Sequence, residues 1–240
     1  MTGRRLGLCA VLLAALGGLV AAVALSATPP KATPCKGQKM CITVNGPWVA
    51  IPARGEATFL LECPKRQGTV GGVDVLASST DVRVTWDAGV PAAPIHSGGT
   101  TTGAYLLFRA VSASGKAGLM QPWIGCLPPP PANPRSTTSA RVEPKITKPG
   151  KPLDLWQTSV AVHTGHQTAT RACGSKGERL LSGWQATAFK VDTPPSPAAA
   201  GHVHATFMLE DGRAAVSIET GSGIPAGSEP EVQVGAVCAK

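Results

Sequence analysis

The chain has 240 residues, of which 43 % are hydrophobic, 4 % aromatic and 15 % charged, and its net charge is +8. This apolar content excludes wholesale disorder, and the single long apolar run excludes a polytopic helical membrane protein. No phosphate loop or dinucleotide fingerprint is present, which argues against a cytosolic nucleotide enzyme.

The N-terminus gives an address. Arg4 and Arg5 precede an uncharged run of 22 residues, Leu6 to Ala27. Positive charge ahead of an apolar stretch is the export signature. Ala24-Leu25-Ser26 offers small residues where a signal peptidase cuts. The run exceeds the roughly 7–15 residues of a usual signal core and could span about 30 Å of hydrocarbon as a helix. Residues 1–27 therefore read as a cleaved signal peptide or as an uncleaved membrane anchor. Both place the rest of the chain outside the cytoplasm, secreted or at the cell surface.

Cys9 falls in that leader, leaving Cys35, Cys41, Cys63, Cys126, Cys173 and Cys238. An even number in an exported chain implies disulfides, but six cysteines allow 15 pairings. Spacing selects among them. Cys63 and Cys126 are 63 apart and Cys173 and Cys238 are 65 apart. Gly55 and Gly165 each lie eight residues before the first cysteine of a pair, and Thr58 and Thr168 five before. Trp48 lies 15 before Cys63 and Trp156 17 before Cys173. After each cysteine come a basic segment and a small-residue turn, Gly71-Gly72 or Ser182-Gly183. These landmarks suggest a duplicated unit. They pair Cys63–Cys126 and Cys173–Cys238, one per unit, with Cys35–Cys41 as a local clip.

Beyond residue 28 no helical period is sustained. Short apolar and β-branched runs recur between Gly and Pro instead. In the first unit they are Ile42–Val44, Trp48–Ile51, Thr58–Leu61, Val73–Leu76, Val82–Trp86, Ala104–Val111 and Trp123–Cys126. In the second they are Thr158–Val162, Thr168–Cys173, Leu180–Phe189, Val203–Leu209, Ala214–Ile218 and Val232–Cys238. Asp211-Gly212 is a strong hairpin-turn pair. The expected fold class is all-β: two tandem, disulfide-stapled β-sandwich-like domains, at 28–127 and 153–240, after the signal or anchor. Residues 128–152 contain eight prolines and form an expected polyproline linker. Within it, Arg141 to Ile146 could pair as an edge strand.

Cys173-Gly174-Ser175-Lys176-Gly177, Ser182-Gly183-Trp184 and Ala236-Val237-Cys238-Ala239 resemble the cystine-bracketed β-repeats of secreted actinobacterial surface proteins. Cys63-Pro64-Lys65 with Gly71-Gly72 is a weaker first copy. The resemblance implies an extracytoplasmic location and a β fold, and no particular activity.

Charge is uneven: +2 over 1–27, +4 over 28–127, +4 over 128–152 and −2 over 153–240. The densest positive segment is the linker rather than a folded face with interleaved aromatics, which speaks against nucleic acid. The expected partners are an envelope protein or a polyanionic wall or lipid component, plus the membrane itself if residues 6–27 stay uncleaved.

Four of the five histidines, His163, His166, His202 and His204, fall in the second unit. His202-x-His204 on a strand would share a face, and His163-x-x-His166 could approach them. Such a set could hold Zn²⁺ or Cu²⁺, with Glu210 or Asp211 adding a carboxylate. The alternative is scattered polar surface. No catalytic residue or organic cofactor is identified, since no nucleophile elbow or zinc-protease helix motif occurs. The five tryptophans are expected in cores rather than on a sugar platform. The functional expectation is an exported, non-enzymatic binding or structural module of the envelope. Its alternative is a histidine-cluster metal protein or a metal-dependent extracellular hydrolase.

Overall fold

A computed structural model describes residues 31–64, 69–87, 104–128, 153–221, 223–224 and 226–240. The leader, all of the linker but its first residue, and the edge strand expected at 141–146 lie outside these residues. The described chain is all-β, with one short helix.

The first half supplies β1 (Ile42–Asn45), β2 (Trp48–Ile51), β3 (Glu56–Glu62), β4 (Thr69–Ala77), β5 (Val82–Asp87), β6 (Tyr105–Ser112) and β7 (Gly118–Leu127). The second supplies β8 (Asp154–Ala161), β9 (Gly165–Ala172), β10 (Arg179–Phe189), β11 (Val203–Glu210), β12 (Arg213–Thr220) and β13 (Pro230–Ala239), with helix α1 (Pro197–Gly201) before β11. Alternating burial makes β5, β6 and the start of β11 one-sided, whereas β7 and β13 are buried on both faces. In β6, Leu106, Phe108 and Ala110 are fully buried while Arg109 and Val111, on either side of Ala110, face solvent.

All pairings are antiparallel. In the first half β7 is flanked by β4 on one side and by β1 and β2 on the other, and β3-β6-β5 forms a second sheet. In the second half β13 is flanked by β10 and β8, and β9-β12-β11 forms the second sheet. Cys63–Cys126 and Cys173–Cys238 each tie the end of one sheet to the other, and Cys35–Cys41 closes a short loop. The pairing correspondence extends to a bulge. An extra residue sits eight positions after the first cysteine of each half, Gly71 between Val70 and Gly72, and Leu181 between Leu180 and Ser182. Opposite these bulges stand Cys126 and Cys238.

Trp48 and Trp156 do not share the correspondence. Trp156 pairs with Ala236, two before Cys238, where the first half has Val44 opposite Ile124. The reason is local: the first half breaks its edge strand at Gly46-Pro47. Gly46 N–H donates to the Pro122 carbonyl at 2.8 Å. A Cβ at Gly46 would come within 2.7 Å of the Pro122 ring.

The two halves are joined. Trp48 and Val49 of β2 pair with Phe189 and Ala188 of β10, so strands from both sides of the linker share one seven-stranded sheet. Residues Ala32–Lys240 form one compact unit. The first core holds Phe59, Phe108, Leu106, Met120 and Ile124. The second is smaller-grained, with Ala214, Val216, Ile218, Val232, Val234 and Ala236. Trp48, Leu119 and Phe189 pack as a third cluster where the halves meet.

A short helix, α1, interrupts the connection between β10 and β11. Ser196 caps it, its hydroxyl accepting from Ala199 N–H at 3.1 Å, and a proline opens its first turn. Asp211 and Gly212 both take left-handed backbone (φ 48° and 72°), the geometry that a two-residue hairpin turn needs.

Candidate functional site

A cleft of about 600 Å³ opens where the halves meet. The first half contributes the end of β2 and the start of β3, including Ile51, Pro52 and Glu56. The second contributes one face of β10, the β10–β11 loop with α1, and the start of β11. Its walls are mostly small and apolar, and its titratable side chains are Glu56 and His204. Glu56 also pairs with Arg109 at 3.6 Å, both well exposed. Gln185 lies on the β10 wall; its amide N–H donates to the Ala205 carbonyl at 3.4 Å, and its side-chain oxygen is buried without a partner.

The four histidines do not gather as a group. His202 is the C-cap of α1 with helical backbone (φ −81°, ψ −12°), so it does not share a strand face with His204. Its ring packs beside Gly223, where a Cβ would meet it at 3.0 Å. His163 sits in the β8–β9 turn, its N–H donating to Gln167 Oε1 at 2.7 Å and its carbonyl accepting from the Thr220 hydroxyl at 2.8 Å. His166 and His204 are brought into one row: Glu219 of β12 pairs with His204 of β11 on one side and with His166 of β9 on the other. Glu210 and Asp211 lie at the far end of β11, beside Arg213, away from that row.

Two buried glutamines that organise the structure escape a motif search. Gln233, 2 % exposed, faces away from its own core and reaches the first half. Its amide N–H donates to the Leu60 carbonyl at 3.0 Å and its oxygen accepts from Leu60 N–H at 2.8 Å. The same oxygen accepts from the Trp184 indole at 3.1 Å. One side chain thereby replaces a neighbouring strand along the open edge of β3. Gln121, 4 % exposed, is its counterpart: it donates to the Gly46 carbonyl and accepts from the Trp123 indole, both at 3.1 Å. Each glutamine stands five residues before the second cysteine of its half, which was the available signal.

A polar cluster surrounds the second cystine. Trp156 stacks under the Arg171 guanidinium at 5.3 Å, and a Cβ at Gly174 would collide with the indole ring at 2.5 Å. The Trp156 indole and Ser175 N–H both donate to Glu178 Oε2, at 3.0 and 3.1 Å. Burial alone would raise the Glu178 carboxyl, but these donors, the Ser175 side chain and Asp154 hold it below its ordinary 4.5. Asp154 lies above its ordinary 3.8 because it hydrogen-bonds to Glu178, is desolvated and feels that neighbour's charge, against a weaker pull from Lys240.

Trp48 and Trp184 are buried, and Trp86 and Trp156 pack against the two cores. No family model matches this chain, and no curated protein aligns with it significantly.

Proposed function

We propose that this is an exported envelope protein that works as a non-enzymatic binding module and takes its ligand in the cleft between the two halves. The observation that carries this reading is the cleft itself. Its volume of about 600 Å³ falls in the range of small-molecule sites, roughly 300–1,000 Å³. Its apolar walls with few polar groups match the chemistry of such sites. The three disulfides support folding in an oxidising compartment. Among the described residues no helix is long and apolar enough to cross a membrane. The basic charge ahead of Leu6 supports export, by a cleaved signal or a retained anchor.

We read the two halves as a tandem duplication, two sandwich units fused through β2 and β10. Matching pairing order, matching bulges and the glutamine before each second cysteine support that reading. The basic segment at 128–152 is proposed to favour a polyanionic wall or lipid surface.

The test is a screen of small apolar and amphipathic molecules for a rise in melting temperature of the full chain. Stabilising compounds should lose their effect in Gly201→Trp. That position lines the cleft and has open space around its Cβ, so a bulky side chain can be placed at the cleft from there. Compounds that stabilise the wild type and this variant equally would remove the cleft as the site. Turnover in a hydrolase panel that His204→Ala abolishes would replace the binding reading by the metal-dependent hydrolase.

A further inference from the structure

We infer that the solvent face of the β9-β12-β11 sheet carries a binding site for one borderline divalent transition-metal ion, Zn²⁺ or Cu²⁺, held by His166, Glu219 and His204. The site is made by register. His204 and His166 are the two direct cross-strand neighbours of Glu219, on adjacent antiparallel strands. Directly opposed residues project to the same face, so the three side chains form one row across three strands. That face is the solvent face: Val203 and Ile218, next in chain to His204 and Glu219, are buried, whereas all three row members are exposed.

The spacing suits a chelate. Neighbouring Cβ atoms in such a row lie about 4.5–5.5 Å apart, so the histidines stand roughly 10 Å apart with the carboxylate midway. An imidazole plus a metal–nitrogen bond of about 2.1 Å covers half that span. Two imidazoles flanking a carboxylate is a donor set for Zn²⁺ or Cu²⁺ rather than for calcium or magnesium. The single negative charge of Glu219 offsets part of the ion's charge, and open coordination positions face solvent.

The side chains as they stand are not closed around an ion. Among the described residues, the one trio of His, Cys, Asp or Glu ligand atoms within 4.8 Å of one another is Cys173, Glu178 and Cys238. Its sulfurs are bonded to each other and offer no thiolate. The row residues, by contrast, are surface side chains free to turn toward a common point. His163 and His202 contribute nothing here. The first sits in the turn beyond the row, and the second packs against Gly223.

The experiment is calorimetric titration of Zn²⁺ alone into the full chain, carrying Cys9→Ser and no polyhistidine tag. Co²⁺ absorption spectra run in parallel. The expected result is one saturable site per chain. Loss of an outer-shell partner alone costs a metal site about 10–100-fold in affinity. Removing a direct ligand in His166→Ala, His204→Ala or Glu219→Ala should therefore weaken binding at least about 100-fold. The d–d bands of bound Co²⁺ should vanish with it, while melting of the metal-free protein stays unchanged. His163→Ala and His202→Ala should bind as the parent does. Absence of saturable binding, affinity unaltered in the His166→Ala/His204→Ala double variant, or loss caused by His163→Ala or His202→Ala would overturn the site.

Discussion

The two halves share a plan and differ in what they do with it. In both, the strand after the first cysteine carries its bulge at the same offset, and the strand holding the second cysteine is paired on both sides. In both, a buried glutamine accepts from an indole, but the indole comes from opposite strands. Trp123 stands on β7 opposite Asp74, whereas Trp184 stands on β10 opposite Gly235, and its ring lies flat over that glycine. The consequence is structural. Gln121 closes the broken edge of its own half through Gly46. Gln233, with Trp184 on the same oxygen, reaches across to Leu60 and ties the second half to the first. The second divergence is the connection after β4 or β10. The first half turns in four residues, 78–81, while the second inserts the loop and helix that wall the cleft. The two halves correspond in their pairing and differ in the segments that wall the cleft.

The cystines test the shared frame and carry the largest expected effect. Each long bridge closes a loop of nearly equal length, 63 or 65 residues. Chain entropy assigns each about 4 kcal/mol. Cys63→Ser/Cys126→Ser and Cys173→Ser/Cys238→Ser should therefore destabilise by similar amounts in denaturant titrations. A large inequality would show that the small-residue second core tolerates opening differently from the Phe- and Leu-rich first.

Gln233→Leu against Gln121→Leu tests the divergence. The first change strips three hydrogen bonds and leaves Leu60 and the Trp184 indole unpaired, an expected cost of about 3 kcal/mol or more. The second strands the Gly46 carbonyl and the Trp123 indole, at about 2 kcal/mol. Equal costs would mean that the joint does not hang on Gln233. Ligands found for the cleft should also lose affinity in Gln233→Leu and keep it in Gln121→Leu.

The N-terminal clip exists on one half only, and glycines explain why. Backbone at Pro34 lies against Gly72 and Gly125, where a Cβ on either would collide with the Pro34 carbonyl. Gln38 donates to the Gly71 carbonyl, and Thr33 N–H donates to Asp74 Oδ2 at 2.8 Å. The second half has Ser182 and Val237 at the matching places and leaves its bulge residue Leu181 55 % exposed. Gly125→Val, which copies the second half, should lift residues 32–41 off the sheet. Reduction of Cys35–Cys41 should accelerate, read by mass spectrometry of alkylated thiols, while global stability falls by about 1 kcal/mol. An unchanged reduction rate would show that the clip does not rest on that glycine bed.

Much of this plan could be read from residues. Short apolar and β-branched runs between Gly and Pro located the strands, because such residues suit a pleated sheet and glycine and proline punctuate it. The 63- and 65-residue spacings pointed to the two long cystines. The tryptophan landmark misled, since one glycine–proline step shifts the first half's edge strand and chain distance then no longer measures sheet position. The histidines show the same limit. His202 and His204 are two apart in sequence, yet the end of α1 falls between them. His166 and His204 are distant in sequence but adjoin Glu219 by strand register, which only the pairing of three strands reveals. The cleft was not legible at all, because it depends on β2 meeting β10 across the linker.

The smallest effect concerns a charge that one half has and the other lacks. Asp154 pairs with Cys238 in β13, the place where Ile42 pairs with Cys126. Its carboxyl lies above 3.8 through its hydrogen bond to Glu178, desolvation and the repulsion of that neighbour. A raised folded value means that the native state holds the proton more tightly than the unfolded chain. Ionising Asp154 therefore costs native stability, and the cost appears as pH rises from 3.8 through the folded value and persists at neutrality. Asn mimics the protonated acid and escapes that cost, and it can still donate to Glu178. Asp154→Asn should raise the melting temperature at neutral pH by about 1 °C, small because solvent screens the pair. The gain should disappear near pH 3, where the aspartate is protonated in both states, about one unit below its ordinary value. A loss at neutral pH, or a gain that survives in acid, would show that the Asp154–Glu178 contact is not a shared proton. The second half's cystine end would then be held by the donors on Glu178 alone.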